Sequence, residues 1–292
     1  MRLLVTGASG LLGSDIVYHA AKSNIETVKV CLSPRPGFVS ADITTEEGIR
    51  TIQGLEWDTL VHTAAWRDPN ICEKDPGKAY AINGKATGEL AKLAKERGAA
   101  FLYISTDYVF PGTNPPYKEE DQVSPLNTYG KAKLAGEEAV NAVSDKFLIL
   151  RIPALYGIMA GLKASPLIDS TLKALDSGKD WDMEDTIIKY PTYTGDVAEV
   201  ILFLLKKKAF GIYQFSGKDK GTRYGMALAI AEATGKSSAK IRRMPAPPQV
   251  DATRPVDAHL SMDKLLKLGF KADFPSFKER VAELWKAGLL DS

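Results

Sequence analysis

A glycine-rich turn near the N-terminus limits the folds open to this chain more than any other feature. The apolar run 2–6 is followed by Gly7, Gly10 and Gly13 in the pattern GxxGxxG, and a helical pattern then continues to about Lys22. Between a strand and a helix, such glycines permit a tight turn, close approach of a pyrophosphate, and close packing of the helix on the sheet. The start of that helix also presents free N–H groups to an anion. The cofactor contacts expected here come from Gly7, Ser9, Gly10, Leu11, Leu12 and Gly13.

Strands and helices alternate from this turn to about residue 151. Further strands are predicted over 27–32, 59–64, 100–105 and 147–151, and helices over 44–53, 76–97 and 127–143. This alternation predicts a doubly wound parallel sheet of the Rossmann type, with helices on both faces. After residue 151 the alternation loosens, which indicates a smaller C-terminal α/β lobe for the substrate. We therefore predict an NAD(P)-binding domain, 1–151, and a substrate-binding lobe, 152–292, some segments of which return to the first domain.

Composition and charge exclude several classes of function. The chain has 38 basic and 36 acidic residues in 292, and this balance gives no electrostatic reason to expect nucleic acid or an anionic membrane as a partner. Cys31 and Cys72 lack a CxxC pattern, and the three histidines are scattered, so we expect neither a disulfide framework nor a metal site. With no apolar run of about 20 residues and no signal peptide, the expected location is cytoplasmic.

The end of the second predicted strand indicates which dinucleotide is bound. The segment 32–36 carries no carboxylate for the ribose hydroxyls of NAD, whereas Arg35 suits the 2′-phosphate of NADP. The sequence therefore favours NADP(H), leaves NAD(H) open, and has a solvated loop arginine as the alternative for Arg35. Asp42 and Ile43 are expected at the adenine, although Asp42 is equally suited to cap the helix that starts near Thr44.

Four residues at or after the end of the third strand are placed along the cofactor or the substrate. Ala64 ends that strand and Ala65 follows it, and both are expected to lie along the cofactor. Arg67 either faces a substrate phosphate or belongs to the surface. Asn83 lies within a predicted helix, where asparagine is not favoured, so it either positions a water or a lysine at the cofactor or belongs to the helix surface.

Tyr129 and Lys133 are four residues apart at the start of a predicted helix, which places both on one face. A free tyrosine is a poor acid–base group at neutral pH, and a nearby lysine cation is expected to lower its pKa. The pair then suits proton donation to a carbonyl oxygen that is receiving hydride. Thr106 adds a hydroxyl at the carboxyl end of a strand, where ligands bind in parallel sheets. Thr106, Tyr129 and Lys133 are the predicted catalytic residues.

The chain resembles the extended short-chain dehydrogenase/reductases over nearly its whole length, and within them the dTDP-4-dehydrorhamnose reductase group. The matching segments are TGASGLLG (6–13), STDYVF (105–110), PLNTYGKAKLAGE (125–137) and LRIPALYG (150–157), with Arg254-Pro255 and Lys264-Leu265 near the C-terminus. The resemblance implies an NADPH-dependent oxidoreductase that reduces a nucleotide-linked 4-keto sugar. It also implies that Asp107, Tyr108 and Arg254 join Arg67 at the substrate, with a homodimer left open.

A second resemblance, to the regulatory beta subunits of methionine adenosyltransferase, is carried by FPGTNPPYKEED (110–121) and RIPALYG (151–157). It implies the alternative function: an NADP-binding regulatory subunit whose partner is a methionine adenosyltransferase-like enzyme.

The chain departs from the reductases at Ala154, where they usually carry tryptophan, and at Pro111, where they usually carry aspartate. A dehydratase or epimerase is a third reading, in which Asp107 acts as an acid. We favour a structural hydrogen bond for that side chain.

Overall fold

A computed structural model describes residues 1–159, 163–244, 246 and 251–290 of the chain. Its strands are β1 (Arg2–Thr6), β2 (Glu26–Cys31), β3 (Val39–Ser40), β4 (Thr59–His62), β5 (Ala100–Thr106), β6 (Leu148–Ile152), β7 (Leu155–Tyr156), β8 (Ile158–Met159), β9 (Lys163–Ala164), β10 (Trp181–Glu184), β11 (Thr192–Tyr193), β12 (Gly211–Gln214) and β13 (Ile241–Met244). Its helices are α1 (Leu11–Lys22), α2 (Glu46–Gln53), α3 (Pro69–Lys74), α4 (Pro76–Tyr80), α5 (Ala86–Arg97), α6 (Thr128–Val143), α7 (Pro166–Ser177), α8 (Thr194–Lys206), α9 (Arg223–Thr234), α10 (Asp263–Lys267) and α11 (Phe277–Lys286).

Within the described residues, seven strands form one sheet in the order β3-β2-β1-β4-β5-β6-β12. Each neighbouring pair in it is parallel. From β1 the chain winds outward through β2 and β3, and it then returns to the other side of β1 as β4. The predicted doubly wound parallel sheet is therefore confirmed, and its order reverses between β1 and β4, where such sheets bind ligands.

Alternating side chains of the central strands supply two apolar cores, one on each face of the sheet. Leu3 and Val5 pack in the core that contains Leu12 of α1 and Ile201 of α8. Leu4 packs on the opposite face, in the core that contains residues of α5 and α6. Full burial of one such side chain contributes about 1.5–3 kcal/mol. The sheet is covered on both faces, as its nearly continuous apolar strands require.

The chain after residue 151 contributes to two different places. Strand β12 pairs with β6, and α8 packs on α1, so both belong to the main sheet layer. Helices α7, α9 and α11 form a separate apolar cluster around Leu172, Ile230 and Val281. The parallel pair β10–β13 lies beside that cluster.

The helix predicted over 76–97 is a continuous run with a π-helical turn (Ala81–Lys85) between α4 and α5. Helix α3, which the sequence pattern did not predict, begins because the Asp68 carboxylate accepts from the backbone N–H groups of Asn70 and Ile71. In the described part of the chain, no helix combines the length and apolar character needed to cross a membrane.

A buried ion pair joins α6 to the sheet. Arg151 of β6 and Glu137 of α6 are 3% and 2% exposed, and Arg151 Nη2 lies 2.7 Å from Glu137 Oε2. Arg151 Nε also donates to Glu137 Oε1 over 3.0 Å, and Ser105 Oγ of β5 donates to the same oxygen over 2.5 Å. Since each charge is compensated inside the protein, the position of α6 relative to β5 and β6 is fixed.

We expect Arg151→Met to lower the free energy of unfolding by about 3–5 kcal/mol, because the Glu137 charge would stay buried without its partner. Urea-induced unfolding followed by circular dichroism measures this loss. The matched control is Lys92→Met, which breaks the exposed pair with Glu89 and should cost less than about 1 kcal/mol. Similar small losses for both variants would contradict a structural role for the buried pair.

Candidate cofactor-binding and active site

The carboxyl ends of the central strands open into a cleft of about 780 Å³. Of the predicted cofactor residues, those that line it are Gly7, Ser9, Gly10, Leu11, Leu12, Gly13, Asp42, Ile43, Ala64, Ala65, Tyr129 and Lys133. Of the predicted catalytic and substrate residues, those that line it are Thr106, Tyr129, Lys133, Arg67, Asp107 and Tyr108. Arg35, Asn83 and Arg254 are not among the lining residues. The structure thus brings the glycine turn and the three predicted catalytic side chains to one cleft.

The glycine turn leaves no room for side chains. Gly7 has a left-handed backbone conformation, with φ 68°, and a Cβ atom there would lie 2.8 Å from Ala64 N. A Cβ atom on Gly13 would overlap the Gly7 carbonyl oxygen. Helix α1 begins after Gly10 without a side-chain cap and without an acidic residue in its first turn. Such a start, with backbone N–H groups free of a competing carboxylate, fits a diphosphate.

Asp42, which also lines the cleft, makes local hydrogen bonds within its own loop. Its Oδ1 accepts from Thr44 N over 2.9 Å and from Thr44 Oγ1 over 2.7 Å, and these bonds hold the pKa of its carboxyl below the usual range. The cap of α2 is Thr45, whose Oγ1 accepts from Gly48 N over 3.0 Å. The helix-cap alternative for Asp42 is therefore wrong. The Asp42 carboxylate instead stabilises the loop that lines the cleft.

Arg35 is exposed, and its guanidinium carbon lies 5.4 Å from the centroid of the Phe38 ring. Arg254 is half-buried, and its guanidinium donates over 3.3 Å to both the Ala252 carbonyl oxygen and Asn70 Oδ1. Arg35 thus contacts a ring of its own loop, whereas Arg254 also reaches Asn70 of α3, and the predicted ligand roles of both remain predictions.

Asn83 lies on the π-helical turn and is fully buried, so the helix-surface reading of this residue is wrong. Its Oδ1 accepts from Trp66 N and its Nδ2 donates to the Trp66 carbonyl oxygen, both over 2.9 Å. Its own carbonyl oxygen accepts from Tyr103 Oη over 2.9 Å. Asn83 therefore positions the segment 64–67 along the cleft, and irregular helical turns of this kind are frequent at functional sites.

The first turn of α6 is held by contacts on two sides. Asn127 Oδ1 accepts from Gly130 N over 2.9 Å and caps the helix. The Glu73 carboxylate of α3 accepts from Thr128 N and from Thr128 Oγ1, each over 2.7 Å. A Cβ atom on Gly130 would overlap the Tyr108 carbonyl oxygen. These contacts fix the direction in which Tyr129 leaves the helix.

Burial dominates the protonation of the tyrosine–lysine pair. It raises the pKa of the Tyr129 phenol above its usual range, and a hydrogen bond with Thr106 offsets this only in part. It lowers the pKa of Lys133 to about 7, and Lys133 Nζ donates to the Ile104 carbonyl oxygen over 2.5 Å. The expectation of a phenol with a lowered pKa is therefore wrong, because desolvation raises that pKa. At neutral pH the phenol holds a proton that it can donate.

Thr106 and its two successors form a connected polar group beside the phenol. Thr106 Oγ1 donates to Asp107 Oδ1 over 3.0 Å and accepts from Tyr108 N over 3.2 Å. Burial raises the pKa of the Asp107 carboxyl to about 6, against the attraction of Lys189. The Tyr108 ring lies edge-on to Tyr129 at 5.7 Å, and its hydroxyl accepts from Lys189 Nζ over 2.9 Å. Asp107 thus makes the structural hydrogen bond that the sequence favoured.

Lys78 of α4 also lines the cleft, although the sequence did not single it out. It precedes Ala81 and Ile82, which line the same cleft, by three and four residues. The spacing of these three residues places them on one face of the helix, but the sequence does not show that this face is turned towards the cleft.

The sheet order, the glycine turn and the Thr106/Tyr129/Lys133 group in one cleft define a protein of the extended short-chain dehydrogenase/reductase class. A model described as the RmlD substrate binding domain matches residues 1–289, and the chain belongs to that family.

Two relatives differ in what their names say they do. The mouse protein "Methionine adenosyltransferase 2 subunit beta" is 39% identical over 292 residues, covering 97% of this chain and 87% of the mouse chain. A "probable low-salt glycan biosynthesis reductase" of Haloferax volcanii is 34% identical over 245 residues, covering 80% of this chain and 81% of its own. The family thus includes proteins with an enzyme's name and proteins with a subunit's name.

Solved structures of dTDP-4-dehydrorhamnose reductases match the whole fold. The enzyme of Clostridium acetobutylicum has a TM-score of 0.86 and 27% identity, covering 98% of this chain and 99% of its own. The enzyme of Bacillus anthracis, solved in complex with NADP, has the same TM-score and coverage with 25% identity.

We expect the stability of the protein to rise between pH 7 and pH 10 because of Lys133. Its pKa is about 7 in the fold and about 10.4 in the unfolded chain, so the unfolded chain binds more protons within that window. Below pH 7 the lysine is charged in both states, and the cost of burying the charge is fully present.

Lys133→Met should therefore be more stable than the native protein at pH 7, and the difference should shrink towards pH 10. Urea unfolding at both pH values measures this. Lys131→Met is the control, because Lys131 is exposed on the same helix. A difference between Lys133→Met and the native protein that stays constant with pH would refute the lowered pKa.

Proposed function

We propose that this protein is an NADP(H)-dependent reductase of a nucleotide-linked 4-keto sugar. The observation that carries the proposal is that the glycine turn and Tyr129 line the same cleft, with Thr106 beside the phenol. It is supported by the similar Bacillus anthracis reductase, which was solved with NADP, and by the Haloferax volcanii reductase.

The residues of the cleft fit a dinucleotide. The uncapped start of α1 and the Gly7–Gly13 turn would hold the diphosphate, and Asp42 and Ile43 would lie at the adenine. Ala64 and Ala65, which Asn83 keeps in place through Trp66, would lie along the ribose and the nicotinamide. When bound, NADPH supplies the hydride that reduces the ketone carbon. NAD(H) fits the same turn and is our second choice. The preference for NADP(H) rests on Arg35, which we assign to the 2′-phosphate.

The reaction adds one hydride to the carbonyl carbon and one proton to the carbonyl oxygen. Tyr129 donates the proton, because its phenol is protonated at neutral pH and an alkoxide is more basic than a phenolate. Thr106 stabilises the developing oxygen charge by a hydrogen bond. Lys133 would bind the ribose and return a proton to Tyr129, for which its pKa of about 7 is suited. Arg67, Asp107, Tyr108 and Arg254 are assigned to the substrate.

We expect Tyr129→Phe to lower the turnover of NADPH oxidation with nucleotide 4-keto sugars by roughly 10²–10⁴-fold, because the proton donor is removed. Tyr80→Phe is the control, since Tyr80 is 42% exposed and does not line the cleft. Titration of NADPH should show that both variants still bind the cofactor. Full turnover in Tyr129→Phe would remove this residue as the acid.

The alternative function, a regulatory subunit of a methionine adenosyltransferase-like enzyme, is favoured by the 39% identity with the mouse beta subunit. Ala154 lines the cleft at the position where the reductases usually carry tryptophan, which weakens the case for a deoxysugar. On this reading the fold and the NADP site serve to bind a partner enzyme. A homodimer is compatible with either function and remains a prediction.

One mixing experiment separates the two functions. Our first proposal predicts that this protein and a methionine adenosyltransferase of the same organism elute separately in size-exclusion chromatography, with unchanged synthetase activity. Co-elution together with a changed synthetase activity that Tyr129→Phe leaves intact would favour the regulatory subunit and contradict the first proposal.

A further inference from the structure

Lys78 is an exposed lysine that the structure holds over an aromatic ring. Its Nζ lies 4.0 Å from the centroid of the Trp66 ring, and both residues line the cleft. A cation over an indole ring gains about 0.5–1 kcal/mol at an exposed site. The ammonium group is therefore held at the cleft, whereas a surface lysine would sample many rotamers.

Trp66 is itself fixed in place. The Asn83 side chain hydrogen-bonds both the N–H and the carbonyl oxygen of Trp66, and the ring packs against a small cluster that includes Cys72 and Tyr129. The position of the lysine is consequently set by the buried π-helical turn through a rigid aromatic side chain. This gives the cleft a preformed positive charge.

Among the residues that the structure describes, no carboxylate forms a salt bridge with Lys78. The charge of Lys78 contributes to the lowered pKa of the Asp42 carboxyl, but Asp42 already accepts two hydrogen bonds from Thr44. Asp75 accepts a hydrogen bond from the backbone N–H of Lys78. Other basic side chains of this region are Arg67 and Lys133, which line the cleft, and Lys74, which pairs with Asp251.

The second positive element of the cleft enters from the opposite face of the sheet. Helix α1 packs with α8 on one face, whereas α4 leads into the layer of α5 and α6 on the other. The start of α1 carries a partial positive charge and no carboxylate. Two positive groups that face one cleft from opposite sides repel each other unless an anion lies between them.

We propose that Lys78, held by Trp66, binds the diphosphate of the dinucleotide from the side of the cleft opposite α1. The inference rests on the proposed cofactor, and it concerns the part that NADPH and NADH share. The 2′-phosphate is present in NADPH alone. Lys78 should therefore strengthen the binding of both dinucleotides by the same factor.

The test is titration calorimetry of the whole chain with NADPH and with NADH. Lys78→Ala should raise both dissociation constants by roughly 5- to 20-fold, the loss of one partly exposed charge-assisted hydrogen bond. Lys78→Arg should retain most of the affinity, and Trp66→Leu should weaken both cofactors in the same direction. Lys74→Ala is the matched control, because Lys74 is exposed one turn away and does not line the cleft.

The outcomes distinguish this inference from the proposed function. Native protein that binds both dinucleotides, with Lys78→Ala unchanged, would overturn the role of Lys78 alone. A loss of affinity confined to NADPH would overturn the assignment to the diphosphate in favour of the 2′-phosphate. Native protein that binds neither dinucleotide would overturn the proposed function and this inference with it.

Discussion

The buried pair of Glu137 and Arg151 determines where the chemistry of this protein can take place. It joins α6 to β6, and Ser105 extends the contact to β5. Tyr129 and Lys133 lie on α6, and Thr106 ends β5, so the distances among the three depend on that junction. A buried ion pair adds little net stability compared with apolar residues of the same shape, but breaking it is costly. Its value here is the fixed position of the helix.

A second buried network fixes the other wall of the cleft. His62 lies between Thr6 and Thr87, with its Nδ1 2.7 Å from Thr6 Oγ1, and burial lowers its pKa to about 3, so it stays neutral. Thr87 Oγ1 donates to the Asn83 carbonyl oxygen over 2.9 Å. The central strands, the π-helical turn and the segment that follows β4 are thus connected by buried hydrogen bonds along this wall of the cleft.

Much of the fold could be predicted because it follows from local sequence patterns. The strand Arg2–Thr6, the glycine turn and the helix that begins at Leu11 follow from period and spacing alone. The β10–β13 pair could not be predicted, since each strand has only four residues and its partner, as in the contact of Asp182 with Arg242, lies 60 residues away in the chain. The direction of the pKa shift of Tyr129 was also missed, because desolvation depends on the packed surroundings.

The sequence by itself determined the class of fold, the place of the glycine turn and the spacing of Tyr129 and Lys133, because each depends on residues close together in the chain. Only the tertiary structure decided that Asn83 is buried and hydrogen-bonded to the backbone of Trp66, that Thr45 and not Asp42 caps α2, and that Lys78 lines the cleft. These facts depend on which faces of distant elements meet. That outcome is set by burial and by hydrogen bonds between segments that the linear pattern does not relate.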